Sequence, residues 1–118
     1  MDNIYKLPSE LPKEELFEPI LSNSNILLER IISISHSTPL GEWYDQPHDE
    51  WVVLLQGHAR LSFQDGSSVD LIPGDYLLIQ AHQKHRVDYT SSEPPCIWLA
   101  IHGNLSFFRK KTPDLSAG

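Results

Sequence analysis

The chain has 118 residues, 40% of them hydrophobic and 21% charged. That leaves room for one globular domain with its own core and excludes the disordered class. With 9 basic against 16 acidic residues the formal charge is −7. This argues against nucleic acid and anionic membrane as partners, since both are held by Lys/Arg patches. The lone cysteine, Cys96, excludes an intrachain disulfide and a four-cysteine zinc site.

Residues 1–24 are polar and carry Pro8, Pro12 and Pro19. They predict an N-terminal arm packed on the body, with one helical turn over 12–17, where Pro12 and Glu14 suit a helix start. The stretch from Met1 to Lys6 has no basic segment leading into an apolar one, so no signal peptide is expected. No apolar run approaches the roughly 18 residues of a membrane helix. The expected location is the cytoplasm, with no membrane partner.

From Asn25 the character changes. Residues 26–35 are rich in isoleucine and end in alternation, which predicts a strand; Pro39 and Gly41 mark the turn after it. Residues 51–56 are apolar on both faces and stop at Gly57. Ala59, Leu61 and Phe63 alternate with polar residues, as do Val69 and Leu71, and Asp65-Gly66 between them is a hairpin signal. Pro73-Gly74-Asp75 predicts a turn. Short strands follow over 76–79, 85–90, where His85, Val87 and Tyr89 share parity, and 96–102. Residues 105–118, with Arg109, Lys110 and Lys111, predict a C-terminal tail.

Many short strands with Gly/Pro turns and no helical periodicity predict an all-β sandwich or barrel over residues 25–104. Strand 51–56 has apolar residues on both faces, and a barrel has one inside. The second face predicts a cover, from the arm or from a second copy in a homodimer.

The chemistry concentrates in two stretches. In extended chain Tyr44, Gln46, His48 and Glu50 share a side. His82 and His85 lie on a later segment. Histidines and a carboxylate meeting inside a barrel would suit Fe, Mn, Ni or Zn. Trp43, Tyr44 and His102 are candidate pocket walls, His102 because it shares parity with Trp98 and Ala100. No G-x-S-x-G nucleophile motif and no phosphate-binding glycine loop occurs, so no catalytic residue is assigned.

These stretches resemble the cupin superfamily of small jelly-roll barrels (double-stranded β-helices), over roughly residues 25–103. Glu50, six residues and Gly57 match the end of the first cupin motif, while its two histidines fall on Tyr44 and Gln46. Gly74, five residues, Gln80-Ala81-His82, two residues and His85 keep the frame of the second. There Gln80 stands for the motif's proline, His82 for its glycine, and His85 for its metal-ligand histidine. The resemblance implies a metal site drawn from Glu50 and His85. Gln46 is a weaker oxygen ligand, Tyr44 ligates only if deprotonated, and His48 or His82 could replace the missing histidines. It also implies a small-molecule ligand and a homodimer, and selects no reaction. The alternatives are a metal-free binding or sensing module, with Glu50 paired to His85 or protonated, and a structural dimer with a vestigial site.

Overall fold

The computed structural model describes residues 1–11 and 13–105. Eight strands follow in order: β1 (Leu16–Ser22), β2 (Ile26–Ser33), β3 (Asp49–Gln56), β4 (Ala59–Phe63), β5 (Ser68–Leu71), β6 (Tyr76–Ile79), β7 (His85–Thr90) and β8 (Cys96–Gly103). They form two antiparallel sheets, one of five strands in the order β1-β2-β8-β3-β6 and one of three in the order β5-β4-β7. Among the described residues no helix is long and apolar enough to cross a membrane.

Alternation explains the layers. On the larger sheet Ile31, Val52, Leu54, Trp98 and Ala100 point inward and meet Leu61, Phe63 and Leu71 of the smaller one, forming one buried core. Gly57 ends β3 at a φ of 93°, a left-handed conformation that favours glycine. A Cβ there would stand 2.7 Å from Cys96 Sγ and 2.8 Å from Ser91 Oγ. The Asp65-Gly66 hairpin forms as expected: Ser67 N–H and Oγ–H both donate to Asp65 Oδ1, holding its carboxyl below the usual range.

The N-terminal region differs from its expectation. No helical turn forms over 12–17, of which Pro12 lies outside the described residues; Leu16–Ser22 is instead the edge strand β1. The Arg30 guanidinium donates to the Ile4 and Lys6 carbonyls and pairs with Glu18 at 2.6 Å, so the arm is tied to the sheet. The expected tail, residues 105–118, lies outside the described residues except for Leu105.

Two bulges reset faces in ways that simple alternation misses. In β1 the register shifts between Pro19 and Leu21, so Leu21 faces out, while Phe17, half-exposed ahead of the shift, borders the cavity. In the β4–β7 pairing a shift between Arg60 and Leu61 leaves Val87 opposite Leu61 but Tyr89 opposite Arg60. Tyr89 is therefore exposed and Thr90 buried, although His85, Val87 and Tyr89 share sequence parity.

Candidate functional site

Between the sheets lies a cavity of about 100 Å³. Its polar wall comprises Glu15, Glu29, Tyr44, Gln46, Glu50, His85 and His102; Phe17, Ile31, Val52, Val87 and Trp98 are among its apolar residues. Ala100, fully buried in the core, sits opposite both Glu29 and Val52, which line the cavity on either side of it.

Backbone bonds bring the two sequence stretches together. Tyr44 N–H donates to the His85 carbonyl at 2.7 Å, His85 N–H donates to Tyr44 at 3.1 Å, and His82 N–H donates to Gln46 at 2.7 Å. Asp49, buried at the start of β3, accepts from the backbone N–H of Ala81 and of Leu105, pinning the turn and the end of β8 to one carboxylate.

Glu50 and His85 both line the cavity, at 8% and 5% exposure. His85 Nδ1 lies 3.0 Å from the Gln83 carbonyl. A carbonyl only accepts, so Nδ1 carries a proton, and in the neutral ring Nε2 is the bare nitrogen. Gln46 Nε2 donates to Glu50 Oε1 at 3.1 Å, an amide donor where an oxygen ligand was a candidate. The Tyr44 ring stacks on His85 at 5.5 Å. Burial raises the Tyr44 hydroxyl above its ordinary value of 10.0, and the Glu15, Glu50 and Glu42 carboxylates push the same way against a hydrogen bond with Thr38.

His102 lines the cavity as its parity suggests, and lies directly opposite Glu50 on the neighbouring strand. Its Nε2 is 2.7 Å from Glu29 Oε1 and its Nδ1 is 3.2 Å from His48 Nε2. Glu29, His102 and His48 thus form a continuous hydrogen-bonded chain. Glu29 is 6% exposed, and its inward parity with Ile31 and Ser33 is the signal that would have marked it. Glu15 was also missed; it accepts from Ser33 Oγ, which in turn accepts from Trp98 Nε1 at 3.2 Å.

Other candidates stand elsewhere. His82 does not line the cavity. Its side chain is 69% exposed and pairs with Asp45 at 2.8 Å. The backbone explains this: His82 holds a φ of 62° where the second motif has glycine, and the turn aims its side chain outward. His48 reaches the wall only through His102, and Trp43 is a partly exposed residue outside it. His36 is a structural tie, accepting from Ile34 N–H and donating to the Lys13 carbonyl.

The donor set does not fit a protein-held metal. Among the described residues no three His, Cys, Asp or Glu side chains converge as a metal set. The first motif contributes Tyr44, whose hydroxyl is held protonated, and Gln46, whose amide nitrogen faces Glu50. Of the motif positions Glu50 and His85 remain as conventional ligands, while Glu29 and His102 are bonded to each other and Glu15 to Ser33.

No curated protein matches the chain. A structure from Ralstonia eutropha JMP134, described as a candidate mannose-6-phosphate isomerase, is 35% identical with a TM-score of 0.80, over 88% of this chain and 97% of that one. A cupin superfamily protein from Desulfitobacterium hafniense DCB-2 is 19% identical with a TM-score of 0.68, over 82% and 84%. The polyketide cyclase RemF from Streptomyces resistomycificus is 20% identical with a TM-score of 0.65, over 77% and 66%. These last two likenesses show a shared fold. The family model for the cupin domain matches residues 33–102, which contain both motifs and most of the cavity wall, and the chain belongs to the cupin family.

Proposed function

We propose that this cupin binds a small molecule in its barrel cavity without a protein-held metal, using Glu50, His85 and the Glu29–His102 pair as its polar contacts. The observation that carries the reading is the donor set: two conventional ligands, Glu50 and His85, where the first motif ordinarily adds two histidines. Buried polar groups cost stability unless they are satisfied. Here hydrogen bonds within the wall satisfy them in part and leave His85 Nε2 for a ligand. The reading assigns binding and no reaction. A chain with one buried, unpaired thiol suits a reducing compartment, and the cytoplasm is the proposed location.

Elemental analysis of the purified protein after exposure to Zn, Mn, Fe and Ni salts tests it. The expected result is a small fraction of one metal per chain, the same in parent and His85→Ala. One equivalent that disappears in both His85→Ala and Glu50→Ala would replace this reading with a metal site on those two residues.

The partner proposed for the outer face of the five-stranded sheet is a second copy of the chain. Leu21, Leu28, Trp51, Tyr76, Ile101 and Leu105 line an apolar groove there of about 770 Å³. An apolar groove on an exposed sheet face suits contact with protein. Light scattering is expected to give a dimer, with Trp51→Glu giving a monomer of unchanged fold. A parent that is monomeric at micromolar concentration would overturn the assignment.

A further inference from the structure

Resting on the reading of the cavity as a small-molecule pocket, its charge selects the ligand. Glu15, Glu29 and Glu50 line it, and among the described residues no Lys or Arg side chain does. The arginines on β2 and β7 are engaged elsewhere, Arg30 with Glu18 at 2.6 Å and Arg86 with Asp88 at 3.0 Å. Of the three carboxyl groups only Glu29 has a basic partner among the described residues, His102. Ser33 and Gln46 order Glu15 and Glu50 as neutral donors and cancel no charge. Glu50 is 8% exposed and lines the cavity, and its Oε1 accepts from the neutral Gln46 amide.

The rest of the wall agrees. Trp98, Tyr44 and Phe17 line the cavity with aromatic rings, and aromatic faces beside carboxylates attract organic cations. The raised Tyr44 hydroxyl reports negative charge at the same place, since after burial its causes include Glu15, Glu50 and Glu42.

We propose that the cavity binds a small organic ammonium ion, with Glu50 as the principal counter-charge, and rejects carboxylates and phosphate esters. Phosphate is held by guanidinium or ammonium groups or by a helix N-terminus. Among the described residues the wall offers no Lys or Arg, and every regular element is a strand. The description of the Ralstonia structure as a candidate mannose-6-phosphate isomerase therefore does not carry over to this cavity.

Probes of different charge, three of them matched in size, test the proposal. The protein's amide and indole NMR spectra are titrated with n-propylammonium, n-propanol, propionate, inorganic phosphate and mannose 6-phosphate. The expected result is that propylammonium shifts the Trp98 indole signal and binds about tenfold or more tightly than any other probe, as a charge-assisted contact implies. Glu50→Gln is expected to remove most of that advantage. Propanol, propionate or either phosphate binding as tightly as propylammonium would overturn the charge selection while leaving the pocket in place. If none of the five perturbs the cavity, the pocket reading falls with it. The parent titrations decide the charge selection on their own should Glu50→Gln fail to fold.

Discussion

The inner and outer faces of the five-stranded sheet are built from the same strands and differ in everything that matters for function. On β3, Glu50 and Val52 face in while Trp51 faces out; on β8, Trp98 and His102 face in while Ile101 faces out. The inner face encloses about 100 Å³ with carboxylates, imidazoles and a phenol, and the outer face frames about 770 Å³ with apolar side chains. Carboxylates are costly to bury, and inside this fold each has been given a hydrogen-bond donor. Apolar groups are costly to leave wet, and outside they lie in one continuous groove. The difference teaches that the polar groups are gathered in the interior and that the apolar exterior is the face proposed for a second copy of the chain.

A matched pair of tryptophans sharpens that comparison most. Trp98 is buried on the inner face, its indole bonded to Ser33, whereas Trp51 is half-buried outside against Tyr76. Trp98→Ala is expected to cost about 3–5 kcal/mol of folding stability, the range for a large aromatic removed from a core. Trp51→Ala is expected to cost about 1 kcal/mol or less in the isolated chain and to act chiefly on association. Denaturant titration at a concentration below dimerisation checks both. Equal costs would break the distinction between core and contact face.

The exposed turn between β6 and β7 gives a smaller effect of opposite sign. His82 holds a left-handed backbone at a φ of 62° with its side chain in solvent. His82→Gly is expected to leave the cavity spectrum unchanged. Relief of backbone strain, about 1 kcal/mol, outweighs the exposed pair with Asp45, giving a small net stabilisation in thermal unfolding. Loss of ligand binding in this variant would instead place His82 at the site.

The smallest effect is electrostatic. The Tyr44 hydroxyl is raised from 10.0 by burial and then by neighbouring carboxylates. A folded value above the unfolded one means that the unfolded chain releases its proton first, so this contribution is intact below pH 10 and lost as pH rises through the folded value. Ultraviolet titration of parent minus Tyr44→Phe is expected to show a phenolate forming above pH 10. Ionisation at or below that value would mean that burial and the carboxylates do not act on it together.

Much of this was legible in the sequence, for physical reasons that can be named. The hairpin at Asp65-Gly66 is local turn chemistry, and the stop at Gly57 is a close approach of backbone to Cys96, which a motif spacing records. Inward placement of Glu50, His85 and His102 follows from strand parity. The bulges at Pro19–Leu21 and opposite Arg60–Leu61 were not legible, because one extra residue reverses parity without a local signature. The bond between His48 and His102 joins residues 54 apart and depends on the whole sheet order. His82 illustrates the limit of motif spacing: it stands three residues before His85 as a candidate for a missing ligand, and a left-handed backbone sends its side chain into solvent.

The claim that the interior works without a protein-held metal rests on the His85 ring, whose Nδ1–H is committed to Gln83 and whose Nε2 faces a site short of ligands. Long-range proton–nitrogen NMR of the histidine side chains, recorded before and after one equivalent of zinc, tests it most directly. The account predicts that His85 is protonated at Nδ1 and that its Nε2 signal does not move on adding zinc. A shift of Nε2 to a metal-bound position, abolished in Glu50→Ala, would contradict it.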